Sequence, residues 1–183
     1  MDLLPLDNWF LLKERGLEHL ISFENYFNRR GRYLLYNDKL YDASELNAIR
    51  QLKLRGFNPN FEIDYVSQFY KYVEDNTVWN NDLFINDLPI ITLGNLKETT
   101  SGLWLDNNKT LKSLYKLEKI GWYLVLNDSD LNDLGELKHI RDDIFLKNSK
   151  LDNIGKLEYV GGIWEDDSKN LKSLYEQRIN TIR

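Results

Sequence analysis

Cysteine is absent from the 183-residue chain, methionine occurs once, histidine twice and proline three times. Without thiols neither a disulfide framework nor a thiolate metal site can form, and nothing demands an oxidising compartment. The two histidines, His19 and His139, have no nucleophile at a recognisable spacing, and a glycine-rich phosphate loop is missing. No apolar run approaches the ~20 residues of a membrane span, and Met1-Asp2-Leu3-Leu4-Pro5 lacks the basic and apolar regions of a signal peptide. A cytoplasmic location is the expectation. Alanine is reduced to Ala43 and Ala48 beside abundant Asn, Lys, Leu, Ile and Tyr, the bias of an AT-rich bacterial or phage genome and no guide to function.

Charge of one sign is in only modest excess. The net charge of −5 speaks for solubility and against a protein dedicated to coating nucleic acid. The imbalance is local: residues 1–60 carry nine Lys/Arg against eight Asp/Glu, the remainder fifteen against twenty-one. The length fits one domain, or an elongated body with a helical cap.

What is present in excess is repetition. The copies begin Leu93-Gly-Asn-Leu, Leu114-Tyr-Lys-Leu, Leu134-Gly-Glu-Leu and Ile154-Gly-Lys-Leu, with starts 21, 20 and 20 residues apart. A period of this size signals a solenoid, in which each unit buries its apolar edge by stacking on its neighbours. Within the copies, Leu83/Ile85, Leu103/Leu105, Leu124/Leu126 and Ile144/Leu146 alternate with period two, as a half-buried strand does. Copies one coil apart then pair as parallel strands. The next residues, Asn86-Asp87, Asp106-Asn107, Asn127-Asp128 and Lys147-Asn148, are turn formers. Ile90, Leu131, Leu151 and Leu171, and the columns led by Leu93 and Leu96, complete the inward set. The fourth copy places Trp164 and Asp166 where Leu-x-Leu is expected, which predicts a distorted or terminal coil. Residues 175–183 are expected to close the open end.

Before the repeats the pattern is helical but broken. Trp9 and Leu12 share one face; Leu17, Leu20, Ile21 and Phe27 form another after Gly16. Tyr33-Leu-Leu-Tyr-Asn-Asp reads as a short strand and turn. Ser44 is placed to cap a helix through Leu46, Ile49 and Leu52, with Gly56 as its stop. A further helix after Asp64 carries Val66, Phe69, Tyr70 and Val73 as one stripe, which needs a surface such as the first coil to cover. The expected organisation is α+β: a helical N-terminal cap region (1–78), a solenoid (79–175) and a C-terminal tail or cap (176–183).

The repeat Leu-Gly-x-Leu-x-x-Ile/Val-Gly-x-x-Leu-x-Leu-x-Asn/Asp-Ser/Thr-x-Leu resembles the short, roughly 20-residue leucine-rich repeats, and is similar to receptor L-type domains and repeat proteins of bacteria and phages. The resemblance covers residues 79–174. It implies a right-handed coil with a parallel sheet on one face, ligand binding, usually of proteins, through residues exposed on that sheet, and rarely catalysis.

The middle residue of each Leu-x-Leu points outward. These are Phe84, Trp104, Val125 and Phe145, with Glu165 next in line, so successive coils stack apolar side chains where solvent would favour polar ones. Trp122, Tyr123 and Trp164 lie beside them. Such a ladder is a candidate protein-binding stripe; the alternatives are cover by the N-terminal helices or closure of a homodimer. A second candidate is Arg29, Arg30 and Arg32, followed by Lys39, Arg50, Lys53 and Arg55 and interleaved with Tyr33, Tyr36 and Tyr41, which suits RNA, a ribonucleoprotein or an acidic partner. Its bland reading is a solvated face. Asp128-Ser-Asp130-Leu-Asn132 opens like a calcium loop, but Asp133 stands at the glycine position and His139 where the closing glutamate belongs. Neither Asp142-Asp143 nor Asp166-Asp167 forms a convincing acid–base pair, since adjacent carboxylates point apart. No cofactor, metal or membrane partner is expected. The expected function is a non-enzymatic protein-binding module, an inhibitor or adaptor of phage or bacterial origin. The alternatives are an inhibitor of a host nuclease or ribonucleoprotein defence complex that also contacts RNA, and a structural homo-oligomer.

Overall fold

The computed structural model describes residues 4–6, 8–29, 33–36, 39–42, 64–164 and 171–182. The chain divides into two compact units, Met1–Phe69 and Tyr70–Arg183.

The first unit is mixed. Strand β1 (Leu4–Leu6) is followed by helix α1 (Trp9–Glu14), a 3-10 turn (Glu18–Leu20) and helix α2 (Phe23–Asn28). Asn8 caps α1 by accepting from the Phe10 amide, and Ser22 caps α2 by accepting from Asn25. The helical pattern breaks at Gly16, whose φ of +68° is open to glycine at little cost. Strands β2 (Tyr33–Tyr36) and β3 (Lys39–Asp42) form an antiparallel sheet with β1, in the order β1-β2-β3. The region therefore holds a sheet as well as the expected helices. Its core is aromatic: Trp9, Phe23, Tyr26 and Phe27 are buried, and Phe27 packs on Phe69 at 5.3 Å between ring centroids. The helix expected around Leu46 to Leu52 lies outside the described residues.

Helix α3 (Tyr65–Asp75) opens on Asp64, whose carboxylate accepts from the Ser67 amide. In the second unit its C-terminal half meets the first coil. Val73 is buried and its carbonyl accepts from Asn95, while the Tyr70 hydroxyl accepts from the Ile91 amide. The stripe predicted from Tyr70 and Val73 thus covers the start of the solenoid.

Each of the first three coils carries two short strands. One column runs through β4 (Val78–Trp79), β6 (Glu98–Thr99) and β8 (Lys119–Ile120); the other through β5 (Leu83–Phe84), β7 (Leu103–Trp104) and β9 (Leu124–Val125). Both reach β10 (His139–Phe145), which pairs with β11 (Tyr159–Trp164). All of these pairings are parallel, and bridges from Ser113 to Asp133 and Asp133 to Asn153 mark a third side. The chain forms a parallel-sheet solenoid with a spacing of about 20 residues. Pairing is not confined to one face, because each coil bends at a corner and resumes hydrogen bonding beyond it.

The interior follows from the columns. Leu83, Leu103, Leu124 and Ile144 are buried, as are Ile85, Leu105, Leu126 and Leu146, and the set Leu96, Leu117, Leu137 and Leu157. Asn108, also buried, donates to the Ile85 and Leu88 carbonyls and accepts from the Thr110 and Leu111 amides, so its desolvation is compensated. At the turns, Asp87, Asn107, Asp128 and Asn148 have φ between 51° and 58°, the left-handed conformation that Asn and Asp tolerate best after glycine.

Register is fixed outside the core as well. Lys138 pairs with Glu118 at 3.1 Å, Lys119 with Glu98 at 2.7 Å and Lys156 with Glu136 at 2.6 Å. Asp130 is held by Lys112 at 3.2 Å and Lys150 at 2.9 Å. Charges alternate in sign from coil to coil, where a uniform repeat would stack like on like.

At the far end, helix α4 (Leu171–Ile182) follows the last described strand residue, and Leu171 is buried. The Tyr175 hydroxyl accepts from the Val160 amide at 3.2 Å and donates to the Glu158 carbonyl at 3.4 Å. It satisfies backbone groups on a strand edge that otherwise templates further pairing.

Candidate protein-binding face

Outward from the second strand column stand Phe84, Trp104, Val125, Phe145 and Trp164, on five coils in register. Phe84 and Trp104 stack at 5.5 Å with a 28° interplanar angle, Phe145 and Trp164 at 6.5 Å and 12°. Between these pairs sits Val125, only 4% exposed. Its large neighbours in register, Trp104 and Phe145, shield it, so it supports the face and presents little surface. Tyr123 tilts against Phe145 at 6.0 Å and meets Trp122 edge-on at 6.0 Å. Trp122 is 48% exposed and Trp164 62%.

One expected position is corrected. Glu165 was expected to follow in the ladder, with Trp164 and Asp166 as the inward pair. The register instead sets Phe145 against Trp164 and Ile144 against Ile163, so Trp164 is the outward residue. The cause is a corner one residue short. Val160 and Ile163 are separated by Gly161-Gly162 alone, where Ile140 and Ile144 have three residues between them, and the pairing shifts at this point. Glu165, Asp166 and Asp167 lie outside the described residues.

A module within the face was not anticipated from the sequence. Asp82-Leu-Phe84 is followed one coil on by Gly102-Leu-Trp104, and Asp143-Ile-Phe145 by Gly162-Ile-Trp164. In each case the indole lies over the glycine two residues earlier. A Cβ on Gly102 would stand 3.0 Å from Trp104 Nε1 and 2.9 Å from Asp82 Oδ1; one on Gly162 would stand 3.6 Å from Trp164 Nε1 and 2.6 Å from Asp143 Oδ1. Glycine leaves the room that both the indole and the preceding coil's carboxylate occupy. Asp82 accepts from the Ser101 hydroxyl at 2.7 Å and the Gly102 amide at 2.8 Å. The Trp104 Nε1 donor is buried and finds no acceptor among the described residues. The sequence signal was there, as two Asp-x-Phe/Gly-x-Trp pairs; the first follows the leucine spacing, and the second shows only once coils are aligned by corner.

On the other side of the ladder, Asp106 accepts from the side chain and amide of Asn127, yet its Oδ1 is buried without a partner. Burial pushes its pKa up, helped by Asp128 and Asp87, against the lowering effect of Asn127.

Other candidate residues fall elsewhere. Arg29 is the C-cap of α2. Arg30, Arg32, Arg50, Lys53 and Arg55 lie outside the described residues, as do the side chains of Lys39, Tyr36 and Tyr41. Asp130 is engaged by two lysines and Leu131 is fully buried, so that segment is used by the solenoid. His139 stacks on Tyr159 at 4.7 Å. Among the described residues, no group of three or more His, Cys, Asp or Glu is placed to hold a metal, and no helix is long and apolar enough to cross a membrane.

The class this geometry defines is a parallel-sheet solenoid bearing an aromatic ladder on one side of its coil. The chain matches no protein-family model, no curated protein and no solved structure.

Proposed function

We propose that the chain is a non-enzymatic protein-binding module that docks a partner on its aromatic ladder. The carrying observation is the ladder itself: Phe84 stacks on Trp104 and Phe145 on Trp164, in register on the outer side of the sheet. Aromatics on a rigid frame are common anchors of interface energy, because little side-chain entropy is lost on binding. The leucine-rich-repeat resemblance supports the same reading. We place the solenoid beside the short members of that class on its consensus, with the second strand column of each coil as a departure, and take the N-terminal region as its cap. An inhibitor or adaptor role agrees with a small scaffold that offers a binding face.

The test is capture of a partner from the native host, compared between the wild-type chain and Trp104→Ala/Phe145→Ala. The variant keeps the circular dichroism of the solenoid and loses the partner; undiminished capture by a folded variant overturns the reading.

A further inference from the structure

We propose that residues 171–175 form a two-state segment, the first turn of α4 in this structure and the third side of the fifth coil in a second form. Residues 161–175 repeat 101–115 three coils on: Gly162, Trp164, Asp166 and Lys169 match Gly102, Trp104, Asp106 and Lys109, and Leu171-Lys-Ser-Leu-Tyr175 is identical to Leu111-Lys-Ser-Leu-Tyr115. The fifth coil begins as the second does, since Ile163 and Trp164 pair in register with Ile144 and Phe145. The two pentapeptides nevertheless fold differently. In the second coil the segment runs along the third side, with Leu111 and Leu114 buried, Ser113 bridged to Asp133 and Tyr115 in the left-handed conformation. At 171–175 the same five residues are helical. Local propensity therefore does not choose between the two structures; the surroundings do.

The fourth coil is left ready for the second form. On the third side, the Leu114 amide donates to the Asp133 carbonyl and the Leu134 amide to that of Asn153, while the Lys112 and Asn132 carbonyls accept from Asn132 and Asp152. Continued once more, the pattern joins the Ile154 amide to the Ser173 carbonyl and the Asp152 carbonyl to the Lys172 amide. Among the described residues neither the Ile154 amide nor the Asp152 carbonyl has a hydrogen bond. Ile154 is also only half-buried, where Leu93, Leu114 and Leu134 of its column are buried. Opposing costs bring the two forms close. In the second form Tyr175 takes the left-handed φ that other coils give to Gly94, Gly135 and Gly155, and its hydroxyl leaves Val160 and Glu158, which it bridges from the helix. Gln177 stands where Leu117 is buried, which ends the coil sequence at Tyr175 and favours helix beyond it. Each form closes one edge of the last coils and opens another, so a strand added at either edge selects a form.

The test tips the balance and reads both ends of it in the full chain by nuclear magnetic resonance. Tyr175→Gly relieves the left-handed cost, removes the bridging hydroxyl and weakens the helix. The carbon chemical shifts of 171–175 are expected to leave the helical range while exchange of the Ile154 amide slows about ten-fold. Helical shifts that persist, or that are lost without protection of Ile154, overturn the proposal. A second variant leaves Tyr175 in place. Because the chain has no cysteine, Asn153→Cys/Ser173→Cys introduces a single pair, which the second form sets ~4.8 Å apart, within reach of a disulfide. Oxidation is expected to close that bridge and lower the helical circular dichroism, and reduction to restore it. Failure of the bridge to form, or a bridge that leaves the helical signal unchanged, overturns the two-state segment.

Discussion

Two aspartates on successive coils have pKa values shifted in opposite directions, and their substitution separates them. Burial raises the Asp106 pKa, so this group favours the protonated fold: its contribution is present below the ordinary aspartate range and is lost as pH rises through its raised folded value. Hydrogen bonds from Lys150 and then Lys112 lower the Asp130 pKa, so its contribution is present above that range and is lost as pH falls through the lowered value. Asp106→Asn is expected to raise Tm at neutral pH and Asp130→Asn to lower it, both differences fading in acid. Thermal melts of the two variants across pH check the signs; a lower neutral Tm for Asp106→Asn contradicts the assignment. Steric limits at single residues are as definite. A Cβ on Gly121 would lie 2.1 Å from the Thr100 carbonyl oxygen, so Gly121→Ala is expected to cost about 2–3 kcal/mol in denaturant unfolding. Tyr115 occupies, at φ +51°, a position that other coils give to Gly94, Gly135 and Gly155. Tyr115→Gly should recover about 1 kcal/mol of backbone strain.

At the scale of the coil, alternating charge and capped edges keep the stacking in register. Lys138→Glu would align Glu118, a second glutamate and Glu158 in one column, and is expected to lower Tm at low ionic strength; adding Glu118→Lys restores one opposite-charge pair but leaves like charges beside Lys97 and Glu158, and should recover only part of the loss. Salt should shrink both differences. At the final edge, the Tyr175 hydroxyl bridges Val160 and Glu158. Tyr175→Phe should cost about 1 kcal/mol and speed exchange of the Val160 amide. Much of this level was legible in the sequence. The inward leucine columns, the Asn/Asp turns and the α3 stripe follow from periodicity, because burying one side of a repeating strand demands it. The Gly161-Gly162 corner was not legible, since a one-residue deletion leaves leucine spacing intact until strand pairing reveals which residue faces out. Val125 was misjudged as an exposed contact for a related reason: its burial comes from rings on neighbouring coils.

The whole molecule joins a mixed sheet-and-helix unit to a solenoid. Sequence periodicity revealed the second because its contacts recur every 20 or so residues. The first was harder to read: its β1 strand pairs with β2 about thirty positions away, and no repeat betrays that pairing. The ladder was visible as outward positions in a strand pattern, and the register added its fifth rung. It also showed the two Asp-x-Phe/Gly-x-Trp pairs. Whether this face recognises a partner is tested most directly by one comparison. Wild type and Trp104→Ala/Phe145→Ala are matched for circular dichroism and Tm, then titrated with the partner captured by the wild-type chain. Docking on the ladder predicts an unchanged fold with binding reduced at least a hundred-fold, the loss expected when two hot-spot aromatics of about 2 kcal/mol each are truncated. Equal affinity of the two proteins would contradict it.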